Sequence, residues 1–343
     1  MARGMTRILI PIGSGRRGVI PRLLLMLALM VSGLAQAAED PDEELPVIRA
    51  AVLKIGTVNW ELQTILREGL DRAHGFRLEV QGYADTTATH LAVQGGAADL
   101  AVADMIWLAR QRAAGRDYVF IPYSRALGGV VVPEGSPAQT LANLAGGKIG
   151  IAGGPLDKSW LILRAYARAE HDMDLANATE QVYGAPPLIY KSALGADYAG
   201  AVNYWHYLAR MKAEGMRELI SVGTAAAALG LDPDTPLLGY YMREAFLAET
   251  PRLAQAFFDA SRAAKDLLGR SDAAWEALRP LIDPQSEAQF TQLRADWLAG
   301  VPPRGPVDPE GAQAMFTLMH DLGGRALMGD AAQIPPGLFA PIE

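Results

Sequence analysis

A nine-residue pattern occurs twice, about one hundred positions apart, and it limits the possible folds more than any other feature of the chain. The first copy, Gly96-Ala97-Ala98-Asp99-Leu100-Ala101-Val102-Ala103-Asp104, closes on Trp107. The second, Gly195-Ala196-Asp197-Tyr198-Ala199-Gly200-Ala201-Val202-Asn203, closes on Trp205. Each copy reads Gly, small residue, Asp, a small apolar strand, a polar residue and then Trp, with the Trp eight positions after the shared Asp. A polar residue at the carboxyl end of a buried strand lies in the crevice where open α/β sheets bind ligands. Two such strand ends, one per half, predict two lobes facing one site. The plainer alternative is two buried strands whose small residues allow close packing.

The rest of the chain alternates in the same way. Strands are predicted over Ile48–Val58, Phe76–Tyr83, the first repeat and Tyr118–Tyr123, separated by helices over Asn59–His74, Thr86–Gln94 and Trp107–Ala114. Asp85 is placed to cap the helix at Thr86, and Gly75 to stop the one before it. After Leu127–Val132, the connector Pro133-Glu134-Gly135-Ser136-Pro137 leads into a second series. That series has strands at Lys148–Ala152, Glu180–Tyr183, the second repeat and Leu219–Val222, with helices at Lys158–Ala169, Ile189–Leu194 and Tyr207–Gly215. Asp157 is placed to cap the helix at Lys158. Strands alternating with short helices indicate a mostly parallel sheet. Pro236–Arg243 reads as a segment returning to the first lobe. Helices then follow over Ala254–Leu268, Ala273–Arg279, Glu287–Leu298 and Gly311–Leu322, with a Pro- and Gly-rich tail. The expected fold class is therefore α/β, with one discontinuous lobe (47–127 plus 238–343), one continuous lobe (128–237) and C-terminal helices.

The N-terminus indicates export. Arg3, Arg7, Arg16, Arg17 and Arg22 precede an apolar run from Leu23 to Leu34, and Ala35-Gln36-Ala37 supplies a small-residue cleavage site. Residues 1–37 read as a secretory signal peptide, because the run is too short for a membrane span and ends at a cleavage pattern. Arg16-Arg17 also resembles a twin-arginine signal, and Sec export is placed ahead of that route. Losing those five arginines takes the formal charge from −7 to −12. A net acidic protein with no basic cluster is a poor nucleic-acid binder. The chain has no cysteine, which excludes disulfides, thiolate metal sites, thiol nucleophiles and a lipid-modified N-terminal Cys. Export without a lipid anchor or disulfide fits a soluble periplasmic protein, here expected as a monomer.

Four of the six tryptophans, Trp60, Trp107, Trp160 and Trp205, fall at predicted strand-to-helix junctions behind polar residues. Those residues are Thr57 and Asn59; Asp104; Asp157, Lys158 and Ser159; and Asn203. An aromatic-walled cleft with a few placed polar groups is the usual form of a small-ligand site. The alternative is that each Trp staples its helix to the sheet. Helix starts at Asn59-Trp60, Thr86-Thr87 and Gly154–Ser159 offer N–H groups to an anion. Asp85, Asp104 and Asp157 oppose one, and Asp104 beside Trp faces suits an amine or cation. The five histidines show no metal-like spacing, and no H-E-x-x-H, G-x-S-x-G or P-loop motif occurs. No catalytic set, metal or cofactor is expected.

Leu53-Lys54-Ile55-Gly56-Thr57-Val58-Asn59-Trp60, the pairing of Gly95-Gly96-Ala97-Ala98-Asp99 with Gly195-Ala196-Asp197, Asn143-Leu144-Ala145-Gly146-Gly147-Lys148-Ile149-Gly150 and Gly154-Pro155-Leu156-Asp157-Lys158-Ser159-Trp160 occur in this order. Together they resemble periplasmic substrate-binding proteins of ABC importers. The nearest type is the nitrate/sulfonate/taurine one, which is similar to the thiamine-pyrimidine-synthase-like proteins. The resemblance covers about Val47 to Leu298. It implies the type II periplasmic-binding-protein fold, two α/β lobes closing on a ligand, and an inner-membrane permease with its ATPase as partner. By position it places the binding loops at Thr57–Trp60, Tyr83–Thr87 (with Thr86), Asp104–Trp107, Gly154–Trp160 and Asn203–His206. The pyrimidine-synthase branch uses a cysteine-rich motif that this chain lacks, and no Arg clamp for a sulfonate is evident. The expected function is a non-enzymatic solute receptor. The alternatives are a secreted hydrolase using Asp104 and His206, and a sensor presenting its bound state to a membrane receptor. The expected ligand is a neutral or cationic molecule with a π-contacting part, held between Trp faces and oriented by Asp104 and Asn203; the alternative is the oxyanion or sulfonate of the resembled family, held by the helix starts at Thr86 and Ser159.

Overall fold

The computed structural model describes residues 45–341. The signal peptide expected at residues 1–37 lies outside them. The first described strand is β1 (Val47–Leu53), with four of its seven residues buried and the other three half-buried, as suits a strand covered on both faces. A turn at 54–57 leads into α1 (Val58–Arg67) and the short α2 (Leu70–Ala73). The predicted continuous helix 59–74 is broken because Gly69 takes φ +65°, a left-handed conformation that interrupts the hydrogen-bond ladder. Then come β2 (Arg77–Tyr83), α3 (Thr86–Gln94), β3 (Leu100–Asp104), α4 (Met105–Ala113) and β4 (Tyr118–Ser124). The chain crosses at 125–128 into β5 (Gly129–Val132), β6 (Lys148–Ala152), α5 (Lys158–His171), α6 (Leu175–Ala178) and β7 (Glu180–Gly184).

Next are α7 (Pro186–Leu194), β8 (Gly200–Asn203), α8 (Trp205–Ala213), β9 (Arg217–Ser221) and α9 (Val222–Ala228). The helix expected over Ile189–Leu194 begins earlier, because Pro186 and Pro187 form the first turn of α7, where a missing N–H costs nothing. The chain returns through β10 (Leu238–Arg243) and ends in α10 (Glu244–Glu249), α11 (Pro251–Arg270), α12 (Asp272–Ile282), α13 (Glu287–Ala299) and α14 (Pro309–Met328).

Two five-stranded sheets result, in the orders β2-β1-β3-β10-β4 and β7-β6-β8-β5-β9. They share one plan. The first strand lies between two parallel neighbours, β1 between β2 and β3, and β6 between β7 and β8. The strand that follows each crossing, β5 or β10, inserts antiparallel next to the repeat strand. The two repeat strands therefore occupy equivalent places. Asp104 pairs with Leu238 and Asn203 pairs with Gly129, each partner being the first residue of the inserted strand. The shared Asp of the first copy is structural. Asp99 Oδ2 accepts from the Arg49 backbone N–H at 2.8 Å, and Oδ1 accepts from its guanidinium at 2.7 Å.

The C-terminal helices cover both sheets. α14 contributes Ala312, Met315, Phe316 and Met319 to a core that also holds Met105 and Leu108 of α4 and Trp160 and Ile162 of α5. Trp60 of α1 meets Trp205 of α8 edge-on at 5.8 Å, and Trp275 and Trp297 of α12 and α13 complete that cluster. The tail is not free: Phe120 N–H donates to the Leu338 carbonyl, and Ala340 N–H donates to the Phe120 carbonyl. This pairs the tail with the outer edge of β4, which would otherwise carry unpaired backbone groups.

Candidate functional site

The carboxyl ends of β1 and β3, the starts of α1, α3 and α4, and the start of α8 converge on two adjoining chambers. The strand-end chamber has a volume of about 580 Å³. Thr57, Thr86, Thr87, His90, Asp104 and Trp107 line it from the first sheet's side, and Tyr204 and His206 from the second's. The second chamber, about 700 Å³, shares Thr57, Tyr204 and His206 and extends past Trp60, Tyr190 and Arg210. Topology explains the convergence: parallel strands put all their carboxyl ends on one edge, and the loops that leave them face a common crevice.

Three helices at this edge start on an aspartate. Asp85 accepts from Ala88 N–H at 2.9 Å, Asp104 from Trp107 N–H at 2.9 Å and Asp157 from Trp160 N–H at 3.1 Å. Each carboxylate takes an amide that an anionic ligand would otherwise need. The second oxygen of Asp104 meets Lys158 Nζ at 3.2 Å, an ion pair joining the end of β3 to the start of α5 in the other half. Burial pushes the Asp157 carboxyl up, against the opposing pull of the Trp160 amide and Lys158. Burial, then Asp157 and Asp104, push the Tyr204 phenol up.

His90 stacks on Trp107 at 3.8 Å, and Tyr118 lies parallel to the same indole at 6.2 Å. Burial pushes the His90 imidazole down, and the charge of Asp104 opposes that shift. His206 is pushed down to about 4 by burial and then by the Arg210 charge. A base whose folded pKa lies below its unfolded value near 6.5 binds fewer protons in the fold, so stability falls as pH drops from about 6.5 to about 4. The expected loss is about 2 kcal/mol, discounted from the full shift because the ring is partly exposed. Unfolding of His206→Gln at pH 7 and pH 4.5 should show a flatter pH dependence than the unaltered chain. An identical slope would remove His206 from the account.

Of the positions expected from the sequence, Thr57, Thr86, Thr87, Asp104, Trp107 and His206 are brought together around the strand-end chamber, and Trp60 borders the second. The others lie elsewhere. Asn59 donates to the Leu53 and Gly56 carbonyls and fixes the turn behind the cleft. The Tyr83 hydroxyl donates to Gln81, and Asn203 spends its amide on Tyr204 N–H and the Pro186 carbonyl. Gly154, Asp157, Ser159, Trp160, Asn203 and Trp205 line neither chamber. The packing covers most of the Trp surface expected as ligand walls. Trp160 is 1% exposed and Trp60 and Trp205 cover one another, while Trp107, with His90 stacked on it, lines the strand-end chamber. The aromatic surface in the strand-end chamber comes from Trp107 together with His90, Tyr123, Tyr204 and His206.

His90, Tyr123 and the pairing role of Lys158 were not anticipated, and Tyr204 was anticipated only as a member of the loop Asn203–His206. His90 follows Thr86 by four residues and so shares its helix face, a signal present in the sequence. Tyr204 sits inside the second repeat, between its polar residue and its Trp.

A family model described as NMT1/THI5 like matches residues 68–272. No curated protein matches the sequence. Among solved structures, the periplasmic aliphatic sulphonate binding protein SsuA from Escherichia coli is similar, with a TM-score of 0.68 and 19% identity over 87% of this chain and 93% of that one. The alkanesulfonate-binding protein SsuA from Xanthomonas axonopodis pv. citri, bound to MOPS, has a TM-score of 0.64 and 16% identity over 85% of this chain and 97% of that one. A mutant of DszB in complex with biphenyl-2-sulfinic acid is more distant, with a TM-score of 0.55 and 16% identity over 87% of this chain and 97% of that one. These likenesses show the fold to be the two-lobed periplasmic-binding-protein type, with C-terminal helices.

Proposed function

We propose that this chain, which belongs to the NMT1/THI5-like family, is a periplasmic receptor that binds a small solute between its two halves and hands it to an inner-membrane ABC permease. The observation that carries the reading is the pair of adjoining chambers, walled by strand ends of one sheet and by Tyr204 and His206 of the other half. A ligand touching both walls is worth more to a closed molecule than to an open one, which is what couples binding to hinge closure. The division expected from the sequence, 47–127 with 238–343 against 128–237, is the proposed moving pair. The C-terminal helices bridge the two: Arg210 of α8 donates to the Ile282 carbonyl of α12 at 2.8 Å and to Gln289 of α13 at 2.9 Å, and α14 shares a core with Trp160 of α5.

Export through residues 1–37, by Sec ahead of twin-arginine, is part of the same proposal. The hydrolase alternative finds little support in the geometry. Asp104 is spent on a helix cap and on Lys158, and among the described residues no carboxylate bonds His206 to orient it as a base. A thermal-shift screen of the mature chain against amines, sulfonates, nitrate and pyrimidines tests the reading. The expected result is a raised melting temperature for one chemical class, with the compound recovered unchanged. Conversion of the bound compound would overturn it in favour of an enzyme.

A further inference from the structure

We infer that the strand-end chamber selects a ligand with a single positive charge, seated beside Asp104 and Tyr204; this rests on the receptor reading above. Among the chamber's lining residues, Asp104 is the one formally charged side chain apart from the two histidines. Next to it stand Asp157 and Lys158, and Lys158 pairs with Asp104. Lys158 pairs with Asp104 and only faces Asp157 through space, so two carboxylates and one ammonium sum to one net negative charge behind the chamber wall. The histidines do not compensate it, because burial keeps both imidazoles neutral near pH 7. The remaining polar groups of the chamber each carry an acceptor that can take an N–H of the guest, beside a donor of their own. The Thr87 hydroxyl, the Tyr204 phenol and the His90 and His206 rings line the chamber and find no hydrogen-bond partner among the described residues.

An anion meets the opposite conditions. The helix starts at α3, α4 and α5 already hold carboxylates, so their amides and dipoles are used within the protein. The cations of the second chamber do not reverse this. Lys54 and Lys191 are exposed, where salt screens them. Arg210 spends its guanidinium on the Ile282 carbonyl at 2.8 Å and on Gln289 at 2.9 Å. Asp104, with its side chain 23% exposed, is less solvated than the exposed Lys54 and Lys191, and a charge in low dielectric acts more strongly on a guest than one in water.

The test is equilibrium dialysis of the mature chain against an equimolar mixture of amines, alcohols and sulfonates built on the same alkyl, benzyl and heteroaryl frames, read by mass spectrometry. The amine of one frame is expected to be retained at least tenfold over the sulfonate of that frame. Asp104→Asn and Asp157→Asn keep a helix-capping side chain and remove a charge, so the fold survives. Each is expected to lower amine retention about tenfold. Asp104→Asn with Asp157→Asn leaves Lys158 unmatched, and retention should move to the sulfonate. Retention of a sulfonate by the unaltered chain, or amine retention unchanged in both single variants, overturns the charge assignment and leaves the receptor reading standing. Retention of no compound in any series overturns both.

Discussion

Lys265→Met should lower the unfolding free energy by about 3–5 kcal/mol, the usual cost of leaving one partner of a buried ion pair alone. Lys265 of α11 and Glu61 of α1 form that pair, with side chains 2% and 0% exposed. Burial pulls the Lys265 ammonium down and Glu61 opposes the shift. The same carboxylate accepts from the Tyr240 hydroxyl at 2.9 Å and from Ser261, and Lys265 donates to Ser261 at 2.9 Å. Apolar replacement of both charges, Glu61→Leu with Lys265→Met, therefore recovers only part of the loss. It removes the lone charge but orphans two buried hydroxyls, each costing about 1–3 kcal/mol. Denaturant unfolding of the two variants measures both terms. A loss below about 1 kcal/mol for Lys265→Met would mean that the pair is not ionised in the fold. The network holds α1 to β10 and α11, and the start of α1 carries Thr57 to both chambers. Its rigidity thus bears on the site as well as on the core.

Trp205→Ala carries the second large effect, also about 3–5 kcal/mol, because a buried aromatic is lost from a packed cluster. Trp205 meets Trp60 at 5.8 Å and 88°, Trp60 meets Trp275 at 6.2 Å and 78°, and Trp275 meets Trp297 at 5.5 Å and 79°. Each edge-to-face pair adds about 0.5–1.5 kcal/mol to its area burial. The cluster takes one ring from each half and two from the C-terminal helices, so its loss should also loosen the joint. Faster amide exchange is expected in α8 and α13 of Trp205→Ala. Trp160→Ala should cost similar stability without that signature, since Trp160 packs within another core. Equal exchange in the two variants would remove Trp205 from the joint.

The same residues show where sequence reasoning reached and where it stopped. The alternation of strands and helices was legible because each strand's apolar run is short and bounded by turn residues, and α3 and β6 fall where they were expected. The Asp85 and Asp157 caps were legible because capping is a local hydrogen bond. The repeat pointed to Asp104 because a strand's end is set by its own sequence. Burial of Trp60 and Trp205 was not legible, since the rings that cover them come from helices more than sixty residues away in the chain. The ring neighbours of Trp107 were hidden for the same reason: Tyr118 comes alongside it only once α4 has packed against β4. The Asp104–Lys158 pair joins the two halves, and no local pattern encodes such a contact. The pairing of the tail with Phe120 shows the same limit, because its Pro and Gly residues describe a loop and not what the loop rests on.

A crystal structure of the mature chain with the solute retained in dialysis tests the central claim most directly. The account predicts the solute in the strand-end chamber, touching Asp104 from one half and Tyr204 or His206 from the other. A solute seated instead in the cavity behind the crossing, beside Arg125 and Lys212, would contradict it.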